Sequence, residues 1–310
     1  MTHNKPSSFL GRIAVRAYEA CVPQRIRTGL HNRWFVRHSA RWEKIRNTPG
    51  SLITRIAPGI RMNLHGDSRL CEMIHFGNFE TETLGFFECF LRPGDTFLDI
   101  GANVGLYTLT AARLVGPRGR VHAFEPCSQT FERLSGNVKL NRLGNVSCHR
   151  VAFSHENATA QLTVAGAGFD AWNSLGTPYM GGLAGTETVT TMTLDRFAHE
   201  NGIPRTNCAL KIDVEGWEKQ VLLGGREFLS AKDAPVMCVE FTEEAAGLAG
   251  TSCAELYAAI ESLGYSLFSV SPQAEAVQPF PLPGHFPNVN LLASKDIAAV
   301  RARLSGMSSQ

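Results

Sequence analysis

The segment from residue 96 to residue 105 reads Thr96-Phe97-Leu98-Asp99-Ile100-Gly101-Ala102-Asn103-Val104-Gly105. Its apolar first half predicts a buried β-strand, and the glycine spacing that follows predicts a tight turn. Apolar residues then recur with helical spacing, which predicts a helix. A strand, a glycine turn and a helix in this order open a βαβ unit, so we expect an α/β fold.

A second apolar run ends in an acid twenty residues after this turn. It comprises Val121-His122-Ala123-Phe124 and is followed by Glu125 and Pro126. An acid that ends the second strand can accept hydrogen bonds from two ribose hydroxyls, so this spacing predicts that Glu125-Pro126 binds a nucleoside. The structural alternative is a surface acid followed by a proline that starts a helix.

The spacing of the turn indicates which nucleoside binds. It reads Asp-x-Gly-x-Asn-x-Gly rather than the dinucleotide Gly-x-Gly-x-x-Gly, and an acid stands where a pyrophosphate would be repelled. A phosphate-free, zwitterionic nucleoside fits better, and S-adenosylmethionine is the common one. We expect its amino-acid end over Gly101, Asn103 and Gly105, with Asp99 orienting the turn or attracting the ammonium through water. Ala152 is small and could leave space beside the adenine ring, although ordinary core packing explains it equally well.

A second group of polar residues follows another predicted strand, in Lys211-Ile212-Asp213-Val214-Glu215-Gly216. Alternation places Lys211, Asp213 and Glu215 on one side at the carboxyl end of the strand, where open α/β sheets bind ligands. The trio could orient a hydroxyl, take up its proton or hold a divalent ion. We predict that Asp213 is the base and that Lys211 or Glu215 orients the substrate. An ion-paired strand end is the alternative, and Mg²⁺ is compatible with these ligands but supported by no motif.

Strand and helix patterns alternate along the chain, as an α/β fold requires. The predicted strands lie near 96–100, 120–124, 147–152, 208–213, 235–241, 265–270 and 288–293. The predicted helices lie near 81–91, 104–115, 127–141, 193–202, 216–223, 252–263 and 295–304. Residues 158–192 break the rhythm with a long glycine-rich connection, which is typical of a binding loop. Residues 51–80 read as short strands and turns.

Charge is unevenly distributed along the 310 residues. The net charge is +2, but the first fifty residues carry +8 and leave −6 for the remainder. Helical patterns at 9–21 and 33–45 therefore predict a basic helical extension. A solvated helical face is the simpler interpretation, and peripheral contact of residues 1–50 with a membrane is the alternative. No nucleic-acid-binding module surrounds these residues, so we expect no nucleic-acid partner.

Cysteine usage and hydropathy indicate the compartment. The eight cysteines include no Cys-x-x-Cys pair, and three of them fall in strand-like runs, which favours a reducing environment. No stretch approaches the roughly 20 apolar residues that a membrane span needs. Arginines also interrupt the N-terminal apolar run, as they would not in a signal peptide. We expect a cytoplasmic protein, and the sequence carries no signal for an oligomeric state.

The ordered motifs of residues 75–295 resemble the FkbM-type S-adenosylmethionine-dependent methyltransferases. The resemblance is carried by Asp99-Ile100-Gly101-Ala102-Asn103-Val104-Gly105, Ala123-Phe124-Glu125-Pro126, Asn137-Val138-Lys139-Leu140-Asn141, Thr193-Leu194-Asp195 and Leu210-Lys211-Ile212-Asp213-Val214-Glu215-Gly216. It implies a class I methyltransferase fold, which is a Rossmann-like seven-stranded sheet with helices on both faces and an antiparallel last strand. It also implies O-methylation, often of a sugar or polyketide-like hydroxyl.

The expected organisation is a basic extension (residues 1–70), a methyltransferase domain (residues 71–300) and a C-terminal tail (residues 301–310). The predicted function is O-methylation of a sugar, glycan or secondary-metabolite hydroxyl by in-line displacement. Two alternatives stay open. One is a nicotinamide-dependent oxidoreductase, against which the turn spacing argues. The other is a non-catalytic nucleoside-binding protein docked through its basic arm.

Overall fold

The computed structural model describes residues 39–47, 51–77, 79–166 and 168–306. Its strands are β1 (Ser51–Ala57), β2 (Ile60–His65), β3 (Thr96–Ile100), β4 (Arg120–Phe124), β5 (Val146–His149), β6 (Ala152–Phe153), β7 (Ala158–Ala165), β8 (Leu183–Met192), β9 (Cys208–Ile212), β10 (Val236–Phe241), β11 (Ser266–Ser269) and β12 (Val289–Ser294). Its helices are α1 (Arg69–Phe76), α2 (Thr81–Phe90), α3 (Leu106–Val115), α4 (Ser128–Leu140), α5 (Leu194–Glu200), α6 (Glu218–Leu223), α7 (Arg226–Ser230), α8 (Glu243–Leu248), α9 (Cys253–Ser262) and α10 (Ile297–Ser305). Residues 39–46 are also helical.

The central sheet has seven strands in the order β11-β12-β10-β9-β3-β4-β5. All neighbours pair in parallel except β12, which is antiparallel to both β10 and β11. The chain runs outward from β3 to β5 and returns to β9 on the other side of β3. The carboxyl ends of β3 and β9 therefore meet at a topological switch point, where such sheets bind ligands. The expected class I methyltransferase fold, with its antiparallel last strand, is confirmed.

Helices cover both faces of this sheet because its inner strands are apolar on both sides. Neighbouring residues of β3 enter different clusters: Phe97 packs with α2, α3 and α4, whereas Leu98 packs with α5, α6 and α9. All five residues of β3 are buried. Three of the five, Phe97, Leu98 and Ile100, are apolar, and parallel strands with two covered faces are rich in such residues. Burial on both faces thus fixes β3 at the centre of the domain.

Residues 152–192 form a second, three-stranded sheet in the order β6-β8-β7. The third core strand was predicted at 147–152, and its predicted end was wrong. β5 ends at His149, and Ala152 belongs to β6. β7 and β8 form an antiparallel hairpin whose connection, here called the insertion (residues 166–182), contains a 3₁₀ turn at Asp170–Trp172. The predicted break in the α/β rhythm corresponds to this hairpin.

The N-terminal part of the described chain docks on α4. β1 and β2 form an antiparallel hairpin, and Asn63 N–H donates to Asn137 Oδ1 at 2.7 Å. The reading of residues 51–80 as strands and turns missed α1, which Ser68 caps at its start and Gly77 ends in a left-handed conformation. These two residue types were the available signal for a short helix.

The remaining helices agree with the sequence prediction in most places. The ends of the predicted helices from 81 onward lie within two residues of those observed, but α7 and α8 were not predicted. The helix expected at 9–21 lies outside the described residues, and the one expected at 33–45 corresponds in part to residues 39–46, whose Trp42 is buried. The domain division stays a prediction, and α1 and α10 run across its boundaries at 70 and 300. Each helix that the structure describes is too short or too polar to cross a bilayer.

Gly101 allows the ends of β3 and β9 to touch, and this contact can be tested. Its φ is +86°, and a Cβ there would lie 1.8 Å from the carbonyl oxygen of Asp213. We expect Gly101→Ala to lower the free energy of unfolding by about 2 kcal/mol or more, because both a strained φ and an overlap with backbone must be relieved. Urea unfolding measures the change.

Gly136→Ala is the matched control. Gly136 lies within α4, and nothing stands within 4 Å of the Cβ that alanine would add. Alanine there should raise the free energy of unfolding by about 0.5–1 kcal/mol, since glycine weakens a helix interior. Equal stability of the two variants would show that β3 and β9 do not approach this closely.

Candidate functional site

A cleft opens where the carboxyl ends of β3, β4 and β9 meet. It holds about 1100 Å³ of space, part of which is open to solvent. Seven of the ten sequence-predicted site residues line it, namely Gly101, Asn103, Glu125, Pro126, Ala152, Asp213 and Glu215. Asp99, Gly105 and Lys211 are absent from its lining. The structure therefore brings the two predicted groups of residues into one cleft.

The glycine turn is fastened on two sides. The N–H groups of Gly101 and Ala102 donate to the carbonyl of Phe124, at the end of β4. Asn103 adopts a φ of +46° and donates from Nδ2 to the backbone oxygen of Asp170, at 2.9 Å, in the insertion. Gly105 packs inward, since a Cβ there would lie 2.7 Å from the side chain of Leu134. The turn is thus held by the protein's own contacts.

Asp170 ties the insertion to the N-terminal segment as well. Its carboxylate accepts from Ser68 Oγ at 2.8 Å and pairs with Arg133 Nη1 at 3.0 Å. Arg133 also pairs with Asp67. The carboxylate and the backbone oxygen of Asp170 therefore join the insertion, α4, the start of α1 and the turn.

Glu125 meets the turn from the end of β4 and is 5% exposed. Its Oε1 accepts from Cys127 N–H at 3.0 Å and from Thr130 Oγ1 at 2.7 Å. Its Oε2 accepts from Asn103 N–H at 2.9 Å. Burial raises the pKa of Glu125 to about 7, although these hydrogen bonds oppose the shift. A carboxylate oxygen can accept two hydrogen bonds, so Oε2 keeps one acceptor position at the cleft.

Asp99 is 1% exposed and lies behind the turn. It accepts a hydrogen bond of 2.5 Å from Thr108 Oγ1, which holds α3 against β3. Burial raises the pKa of Asp99 to about 6, and the hydrogen bond from Thr108 and the charge of Lys211 oppose the shift. We predicted that Asp99 either orients the turn or attracts the ammonium of the ligand through water. Its buried position suits the first role.

Lys211 supplies a positive charge beneath the cleft. It is 1% exposed, and its Nζ lies 2.8 Å from Asp213 Oδ2 and 3.7 Å from Glu80 Oε2. Burial alone would lower the pKa of Lys211, but Asp213 and Glu80 outweigh it and raise the pKa above its usual value. The ammonium therefore stays charged and holds Asp213 in place. Lys211 itself does not line the cleft, so a ligand there would not contact it.

Glu80 belongs to this site and was missed by the sequence interpretation. Its φ is +39°, a left-handed conformation that costs a non-glycine residue of order 1 kcal/mol and that clusters at functional sites. Its carboxylate accepts hydrogen bonds from the Tyr107 hydroxyl and, at 2.8 Å, from Asn290 Nδ2. No periodicity marks Glu80, because its partners come from distant parts of the chain.

Two further acids face the cleft with unused oxygens. In the described part of the chain, the buried Oε2 atoms of Glu215 and Glu240 have no hydrogen-bond partner. Burial, and then repulsion by Asp213, raise the pKa of both carboxyls well above the usual range. Glu215 lies beyond the end of β9 at Ile212. The alternation of side chains along a strand, from which its direction was predicted, therefore does not apply to it. Both acids lie where a hydroxyl-bearing ligand could donate to them.

Among the residues that the structure describes, one group of carboxylates has the spacing that a metal ion would need. Glu80, Asp213 and Glu240 each place an oxygen within 4.8 Å of the other two. Lys211 already pairs with the first two of these, so an ammonium supplies the charge that a metal ion would bring. Mg²⁺ therefore gains no support from this arrangement.

Similar proteins are methyltransferases. A family model described as the methyltransferase FkbM domain matches residues 99–267. The 31-O-demethyl-FK506 methyltransferase FkbM of Streptomyces tacrolimicus is 40% identical over 74 residues, which cover 24% of this chain and 27% of the relative. The hexuronic acid methyltransferase AglP of Haloferax volcanii is 28% identical over 130 residues, which cover 42% of this chain and 49% of the relative.

The chain thus spans less than half the length of these two curated relatives. Among solved structures, the methyltransferase FkbM of Methylobacillus flagellatus KT is similar with a TM-score of 0.41 and 12% identity. That match covers 73% of this chain and 52% of the other.

Proposed function

The chain belongs to the methyltransferase FkbM domain family, and we propose that it transfers a methyl group from S-adenosylmethionine to a hydroxyl oxygen of a sugar, glycan or secondary metabolite. The observation that carries this proposal is one cleft lined by both Glu125 and Asp213. The first could bind a ribose, and the second could take a proton. One relative is named for a 31-O-demethyl substrate, which supports an oxygen atom as the methyl acceptor. The other is named for a hexuronic acid, which supports a sugar as the acceptor molecule.

The residues of the cleft fit this cofactor. Glu125 keeps an acceptor position for a ribose hydroxyl, and Pro126, the small Ala152 and the aromatic Phe153 also line the cleft. Gly101 and Asn103 present the turn for the amino-acid end. When bound, S-adenosylmethionine supplies a methyl group on a positively charged sulfur, which is already activated for displacement by an oxygen nucleophile in line with it.

The chain then has to align the acceptor oxygen, remove its proton and exclude water. We assign proton removal to Asp213, because it lines the cleft and Lys211 binds only one of its two carboxylate oxygens, Oδ2. Glu215 would orient the acceptor hydroxyl, and Lys211 acts as a positioning residue through Asp213. Trp172 and Tyr179 of the insertion line the cleft and would displace water from it.

Calorimetry with S-adenosylmethionine and with NAD tests the cofactor assignment. We expect the protein to bind S-adenosylmethionine and to bind NAD more weakly or undetectably, because the cleft offers acids and a turn without dinucleotide spacing. Binding of NAD alone would remove the basis of the proposal and favour an oxidoreductase.

The raised pKa of Glu125 predicts a pH dependence of cofactor affinity. Below pH 7 the carboxyl of the free protein holds a proton, and the cofactor's ribose hydroxyls bind more strongly to the ionised form. Affinity for S-adenosylhomocysteine should therefore be full above about pH 7 and fall about tenfold per pH unit below it, as measured by calorimetry. Glu125→Gln should bind more weakly and with a flat profile. A wild-type affinity that does not change between about pH 6 and pH 8 would contradict the ribose role.

Substitution of Asp213 tests the proton acceptor. Asp213→Asn should lower kcat by about 10²–10⁴-fold, since the amide cannot take up a proton, with a much smaller effect on cofactor affinity. Radiolabelled methyl transfer measures this with whichever acceptor the wild-type protein methylates in a screen of hydroxylated glycans, lipids and secondary metabolites. The control is Glu244→Gln, which removes an exposed acid of α8 outside the cleft and should leave the rate unchanged. Unchanged turnover by Asp213→Asn would show that another group is the base.

A further inference from the structure

A second cavity lies beside the cleft and shares a wall with it. Glu80 and Glu240 line both. The second cavity holds about 1020 Å³, part of it open to solvent, and lies between the start of α2 and the strands β11 and β12. Its other lining residues include Glu82, Ser269, Val270, Phe280, Asn288 and Asn290. A ligand in this cavity would therefore reach the acids at the end of the cleft.

The lining of this cavity is acidic. It contains the carboxylates of Glu80, Glu82 and Glu240, and no Lys, Arg or His side chain lines it or the adjoining cleft among the residues that the structure describes. Lys211 approaches Glu80 from beneath but is itself buried. A carboxylate, phosphate or sulfate on the ligand would meet like charge and no counter-charge, which disfavours its binding.

Two residues that line the second cavity each have a buried acceptor oxygen without a donor. The two oxygens are Oε2 of Glu240 and Oδ1 of Asn290, in the part of the chain that the structure describes. The orientation of the Asn290 amide is fixed, because its Nδ2 donates to Glu80 and the reverse orientation would oppose two oxygens. Buried acceptors normally have a hydrogen-bond partner, and hydroxyl groups are suitable donors. The cavity therefore suits a ligand with several hydroxyls.

The charge state of Glu240 does not change this preference. Burial and the charge of Asp213 raise the pKa of its carboxyl, so it can carry a proton. The protonated form can donate to a hydroxyl as well as accept from one, and neither form supplies the positive charge that would balance an anion. Val270 and Phe280 add an apolar surface to the same cavity, which the C–H face of a sugar ring could cover.

We propose that this second cavity is the acceptor subsite and that it takes a hydroxyl-rich ring without negative charge, such as a neutral sugar residue. The inference rests on the proposed function, because it names the acceptor class for the same transfer. It also separates this chain from the relative named for a hexuronic acid, whose acceptor carries a carboxylate.

A matched pair of probes tests the proposal. Methyl glucoside and methyl glucuronide differ only at C6, and each is titrated into the protein saturated with S-adenosylhomocysteine, with binding followed by ligand-observed NMR. We expect the glucoside to bind about tenfold or more tightly than the glucuronide. Equal or tighter binding of the glucuronide, or no binding of either probe, would overturn the proposal.

A charge-introducing variant locates the effect. Asn288 is exposed at the rim, so Asn288→Lys should raise glucuronide affinity about tenfold by supplying the missing cation. Thr159→Lys adds the same charge to an exposed position of β7 that lines neither cavity and should leave the ratio of affinities unchanged. Equal effects of the two variants would overturn the placement of the subsite.

The same titrations separate this inference from the function on which it rests. Failure of the protein to bind S-adenosylhomocysteine would reject the proposed methyl transfer itself. Binding of S-adenosylhomocysteine together with a preference for the glucuronide would reject only the acceptor class.

Discussion

The backbone contact between the ends of β3 and β9 joins the two halves of the site. Asp213 N–H donates to the Ile100 carbonyl at 3.0 Å, and the missing side chain of Gly101 leaves room for the Asp213 carbonyl. The turn that suits a cofactor and the acid that suits a proton transfer therefore leave the sheet side by side. A bulkier residue in the turn would separate them even if every polar side chain were retained.

Lys211 compensates an otherwise acidic site. The carboxyl groups of Asp213, Glu80 and Glu240 all act on its charge, yet its ammonium contacts only Asp213 and Glu80. Glu215 and Glu240 form no ion pair with it, and burial together with repulsion by Asp213 raises the pKa of both carboxyls well above the usual range. One buried lysine thus divides the neighbouring acids into two kinds, those that it holds by an ion pair and those that it does not.

The sequence predicted those parts of the molecule that depend on local pattern. We predicted the central sheet from apolar runs, and the turn from the glycine spacing and the acid at 125. These predictions succeeded because burial on both faces requires apolar residues in the strand and a tight turn requires glycine. Glu80 could not be found this way, since Tyr107, Lys211 and Asn290 meet it only after the sheet has formed. Two motif residues of the family resemblance prove to hold the fold together. Asn137 bridges Val104 and Asn63, and Asp195 accepts from the first N–H groups of α7.

Asp170 connects the insertion directly to the glycine turn of residues 101–105. Its backbone oxygen is held by Asn103, while its side chain is held by Ser68 and Arg133. A ligand that steadies the turn would thereby steady the segment carrying Trp172, and binding free energies linked in this way act equally in both directions. Sequence changes in the insertion would therefore shift the affinity for a ligand held by the turn, although the insertion lies outside the seven-stranded sheet.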